Sequence, residues 1–173
     1  MNIAKQKEIM FLTKELRRLE SICGENNEKF LKIKTRVMID HAIDRLITYL
    51  QGEDFSVNAA ENGNYIIAKQ DEMSIFIDRK PSIFTVRMPN DENYTVSIQG
   101  SLSFSKYVER NADKQDYIIE KLNEHIDTIH KTIGDISNQK VQYRLSEESR
   151  YSAQDYHTTF YDNFEQVLAV MFS

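Results

Sequence analysis

Residues 22–30, ICGENNEKF, decide how the first third of the chain folds. Upstream of them Ile9, Leu12, Leu16, Leu19 and Cys23 follow 3,4,3,4 spacing and line one helical stripe, while Lys5, Lys14, Arg17 and Arg18 lie off it. Glycine commonly closes a helix, and the polar run GENNE after Cys23 offers a turn, with Asn27 as the cap of a second helix. Residues 28–51 then carry a wider apolar face that includes Phe30, Val37, Met38, Ala42, Leu46, Tyr49 and Leu50, before Gly52. Residues 1–51 are therefore expected to form a helical hairpin.

From 55 to 99 the apolar period changes from 3.6 to 2, and turn signals recur at short intervals: ENGN at 61–64, QDE at 70–72, RKPS at 79–82 and PNDEN at 89–93. The segments between them, FSVNA, YIIAK, MSIFID, IFTVRM and YTVSIQ, are expected to form a five-stranded antiparallel meander. One face should be packed and the other wet, because Tyr94, Val96 and Ile98 alternate with Thr95, Ser97 and Gln99.

A long coiled-coil-like helix is expected over 103–137. Ile119, Leu122, Ile126, Ile129, Ile133 and Ile136 repeat at three and four residues, and Gln115, Ala112 and Val108 extend the stripe backwards. This seam is two positions wide in seven, narrower than the face a helix usually lays on its own sheet. That narrowness suggests a homodimer through the seam, with Gln115 as a polar residue that helps to fix register. The competing arrangement fills the seam within one chain, from Ile9, Leu12, Leu16, Leu19 and Cys23. Residues 141–173 should add a short strand, VQYRL at 141–145, and a C-terminal helix from about 153 to 172, in which Tyr156, Phe160, Phe164, Val167 and Met171 recur at helical spacing. The whole is expected to be one α+β domain spanning 1–173. At the level of architecture it is loosely similar to the acidic secretion-chaperone folds.

The same long helix holds Glu124, His125, Asp127 and His130, residue types that bind metal. His125 and His130 are five apart, about 140° around a helix, so one helix does not bring both to one ion. Asp40, His41 and Asp44 fall on the polar side of their helix. Cys23 occupies a seam position and reads as a small buried hydrophobe. His157, near Asp155 and Tyr161, has no nucleophile elbow, P-loop or dinucleotide fingerprint to join it, and Glu147 and Glu148 read as solvated acids. No cofactor, metal or catalytic residue is expected.

Composition bounds the remaining choices. The 173 residues are 40% hydrophobic and 28% charged with five glycines and two prolines, the profile of an ordered protein. The longest apolar run, VLAVMF at 167–172, falls far short of a bilayer span of about 20 residues. The charged N-terminus lacks a signal-peptide core, and a single cysteine suits a reducing compartment, so a cytoplasmic protein is expected. Net charge is −5: residues 1–36 hold nine Lys/Arg against five Glu, and residues 37–173 hold thirteen against twenty-two acids. Lys14, Arg17, Arg18, Lys32, Lys34 and Arg36 form a basic patch that offers a nucleic-acid contact, although an acidic whole opposes a broad phosphate footprint. Tyr65, Phe76, Phe84 and Tyr94 offer a stacking platform.

Three functions compete. The leading expectation is a non-enzymatic interaction protein, an inhibitor, adaptor or chaperone of a protein partner. Abundant Ile, Lys, Asn and Tyr suit an A+T-rich phage or mobile-element product that blocks a host factor. The others are an enzyme or small-ligand binder with a pocket between sheet and helices, and a nucleic-acid binder through the basic N-terminal segment.

Overall fold

The computed structural model of the protein describes residues 2–107, 114–148 and 157–173. Its elements run α1 (Ile3–Gly52), β1 (Ser56–Ala59), β2 (Tyr65–Gln70), β3 (Met73–Lys80), β4 (Ile83–Arg87), β5 (Asn93–Gly100), α2 (Gln115–Asp135), a 3-10 turn (Ile136–Asn138), β6 (Val141–Glu148), β7 (His157–Tyr161) and α3 (Phe164–Met171). The fold is α+β. Contacts divide the chain into two compact units: Met1–Leu31 with Ser101–Lys140, and Lys32–Gly100 with Val141–Ser173. Among the described residues no helix is long and apolar enough to cross a membrane.

The expected helical hairpin is instead one helix of 50 residues. Gly24 stays helical, since an interior glycine costs only about 1 kcal/mol and no proline follows to stop the ladder. What the sequence presents as a turn is a change of phase. The residues that α1 buries are Ile9, Leu16, Leu19 and Cys23 in its first half and Ile39, Ala42, Ile43, Leu46 and Leu50 in its second. At about 100° per residue these two stripes point roughly 150° apart. A helix whose apolar side shifts that far looks like two helices when only periodicity is read.

In the first unit, α1 and α2 pack along their stripes. Ile9, Leu16, Leu19, Cys23, Ile118, Leu122, Ile129 and Ile136 form one core, with Leu12, Ile119, Ile126 and Ile133 partly buried against it. Gln115 ties the start of α2 to the start of α1: its side chain accepts from the Asn2 N–H at 3.0 Å and donates to the Asn2 carbonyl and to Gln6. Lys5 and Asp116 add an ion pair at 2.6 Å. The expected helix over 103–137 is shorter, because Ser101–Tyr107 is irregular and α2 begins at Gln115. Leu102, Phe104 and Tyr107 cover the core from that irregular segment, and at its start the Ser101 N–H donates to the Lys140 carbonyl at 2.7 Å.

In the second unit the sheet has seven strands, not five, in the order β1 to β7, every neighbour antiparallel. The expected short strand at 141–145 is longer, Val141–Glu148, and β7 occupies part of what was expected to be helix. The C-terminal helix begins only at Phe164, where Asn163 and Gln166 form a reciprocal capping box. The pleat sends Ile66, Ala68, Ile75, Ile77, Phe84, Val86, Tyr94, Val96, Tyr143 and Leu145 to one face. The second half of α1 and α3 close that face, with Phe164 set against Phe84 and Tyr143 at ring separations of 6.0 and 5.4 Å. Arg79 pairs with Asp40 and Arg45 with Glu165, stitching helix to strand and helix to helix.

Candidate functional site

The other face of the sheet has no helix of its unit upon it, and alternation alone dictates what it presents. Pairing register sorts its residues into rows that cross the strands. One row is Ile67, Phe76, Arg87, Asn93 and Glu148. The next is Tyr65, Asp78, Thr85, Thr95, Ser146 and Thr158, and a third is Lys80, Ile83, Ser97, Arg144 and Phe160. Tyr65 and Phe76 stack with ring centroids 6.2 Å apart, a diagonal cross-strand pair. Thr85 and Thr95 hydroxyls meet at 3.4 Å and Ser146 and Thr158 at 3.3 Å. Tyr65 and Phe160 stay 39% and 46% exposed. Glu72, Ser74, Phe76, Thr85, Arg87 and Asn93 line a shallow depression of about 610 Å³. The surface is hydrogen-bonded strand to strand through its backbone, and it mixes aromatic rings, hydroxyls and arginines.

The closed face supplies the electrostatic contrast. Burial pushes the Tyr94 phenol up to about 12, with Glu92, whose carboxylate accepts its hydroxyl at 3.3 Å, and Glu147 adding to the rise. Burial also raises Tyr143, helped by Glu165, and its hydroxyl donates to the Met38 carbonyl. Cys23, fully buried in the helix pair, is likewise pushed up by desolvation, which keeps it a thiol and not a nucleophile.

The residues singled out in the sequence fall as follows. Of the seam, Leu122, Ile129 and Ile136 are buried, Ile119, Ile126 and Ile133 are half-buried, and Gln115 caps the contact. Val108 and Ala112 lie outside the described residues. Ile118, 4% exposed, takes the buried position expected of Ile119. The seam is filled within the chain by α1, the competing arrangement, so its narrowness gives no support to a dimer. The His125 ring nitrogen sits 3.0 Å from the Ser105 carbonyl, and its ring packs 5.7 Å from that of Tyr107. Glu124 pairs with Lys121, and among the described residues no group of three metal-binding side chains converges.

Lys14, Arg17, Arg18, Lys32, Lys34 and Arg36 are all exposed on α1, and Arg18 is held by Glu15 at 2.6 Å. The expected platform splits: Tyr65 and Phe76 face outwards together, whereas Phe84 and Tyr94 are buried on the opposite face. His157 is exposed on β7 opposite Glu147, while Asp155 lies outside the described residues. Arg87, Arg144 and Phe160 were not singled out as surface residues. The strict alternation of IFTVRM and VQYRL carries the signal for the two arginines.

Compared with known proteins, the chain matches no family model, no curated protein and no solved structure.

Proposed function

We propose that the chain is a non-enzymatic interaction protein, an inhibitor, adaptor or chaperone, that binds a protein partner on the open face of its sheet. The observation that carries this reading is the outward stack of Tyr65 and Phe76 on the open sheet face, with Arg87 directly across from Phe76 in the same row and Arg144 and Phe160 farther across. Aromatic side chains and arginine are the residues most enriched where proteins dock, and rings held on paired strands lose little freedom when covered. A cytoplasmic phage or mobile-element product that blocks a host factor suits the composition.

The test is affinity capture from the native host with three forms of the full chain. Wild type should retain a discrete protein, Phe76→Asp with Phe160→Asp should release it, and Lys14→Glu with Arg17→Glu should retain it. Capture that survives the sheet-face pair sinks the reading. Loss in the α1 pair, together with a nucleic-acid complex that weakens steeply with salt, transfers the function to the basic patch.

A further inference from the structure

The first unit holds a groove of about 640 Å³ between α1 and the irregular segment Ser101–Tyr107. Thr13, Arg17, Ser21 and Gly24 form its helix wall. At about 100° per residue these four fall within about 80° of one another, so they share one side of α1. Phe104, Lys106 and Tyr107 form the opposite wall.

The charges in the groove are not balanced. Glu20 also lines it, one helical turn from Arg17 and at the spacing where Arg18 and Glu15 pair at 2.6 Å on the same helix. Its carboxylate instead accepts the Tyr107 backbone N–H at 3.0 Å. Arg17 and Lys106 are exposed, and neither has an ion-pair partner among the described residues. One wall therefore offers an unanswered guanidinium and the other an unanswered ammonium with an aromatic residue close on either side. The Tyr107 ring is itself steadied by the His125 ring, 5.7 Å away.

We infer that this groove binds a phosphate monoester joined to a flat ring, the chemistry of a mononucleotide. Such a phosphate carries about 1.5–2 negative charges at neutral pH, which two cations match and a single carboxylate does not. A guanidinium can hold two of its oxygens at once, and the ammonium answers the third. The ring of the ligand lies along Phe104 and Tyr107, and the groove falls within the roughly 300–1,000 Å³ of small-molecule sites. A bare anion would leave the aromatic wall uncovered, and a neutral ring would leave both charges unanswered.

Calorimetric titration of the full chain at low salt tests it with adenosine monophosphate, phenyl phosphate, adenosine and inorganic phosphate. At least one of the two ring phosphates should bind, one per chain, with adenosine and inorganic phosphate each at least about tenfold weaker. Arg17→Glu and Lys106→Glu should each weaken that binding at least about tenfold with an unchanged melting curve, since both side chains are exposed. Ser21→Trp, which fills the groove without changing its charge, should abolish it. Lys14→Glu should leave it unchanged, because Lys14 does not line the groove. No binding of either ring phosphate, equal affinity for inorganic phosphate, binding that survives Arg17→Glu, or an equal loss in Lys14→Glu would each overturn the proposal. So would an oligonucleotide that binds more tightly than the mononucleotide, which would make the two cations part of a backbone track. Capture of a protein partner reads the open sheet face, so neither experiment decides the other.

Discussion

The helix pair and the sheet use apolar side chains in opposite ways. Between α1 and α2 the seam is consumed in one internal contact, from Ile9 and Ile118 through to Ile136. The sheet packs one face under α1 and α3 and still carries Tyr65, Phe76 and Phe160 on the other. The lesson is that a regular stripe marks structure, whereas rings left outside the core mark candidate function. The seam is the most regular apolar pattern in the sequence, and the partner it packs against is α1 of the same chain.

The largest expected effect lies in the sheet core. Phe84→Ala removes a ring that is 1% exposed and touches Phe164, and should cost about 3–5 kcal/mol in urea denaturation. A loss below about 1 kcal/mol would break the contrast between the two faces. Next comes alkaline pH. The folded-state pKa of Tyr94 lies near 12, above its ordinary 10, so its contribution is complete below pH 10 and is lost as pH rises through about 12. Tyr94→Phe should flatten that part of the stability profile, which denaturation at a series of pH values will read.

A smaller effect of opposite sign belongs to the helix pair. Gly24 lies inside α1, and a Cβ there would meet only Phe104, at 3.8 Å. Gly24→Ala should therefore stabilise by about 0.5–1 kcal/mol. A destabilisation would restore the hairpin and its turn. Smallest of all, Phe76→Ser on the open face should change stability by about 1 kcal/mol or less in the same denaturation. A cost matching that of Phe84→Ala would mean that the open face is core.

The five strands between 55 and 99 were legible because tight polar turns and strict alternation leave a meander few other ways to pair. In IFTVRM, Phe84 and Val86 go inward and Thr85 and Arg87 outward, as the letters read. β7 was lost for a definite reason: Tyr156, Phe160 and Phe164 keep a four-residue spacing that mimics a helix. The β-branched pair Thr158–Thr159 and the Asn163 cap were the signals against it. The open face itself was half legible, since Tyr65 and Phe76 were grouped with Phe84 and Tyr94, and only pairing register separates outward rings from inward ones.

Gln115 and Asn2, joined by hydrogen bonds, stand 113 residues apart. During synthesis the stripe from Ile9 to Cys23 must therefore wait for roughly 90 residues more before α2 begins to emerge. At about 5–20 residues per second that delay is on the order of 5–20 s. For that interval the nascent chain displays a narrow apolar ribbon with nothing of its own to cover it. Exposed apolar surface of this kind is prone to aggregation while it waits, so the order in which the helix pair is made is a hazard that the stability of the finished fold does not remove.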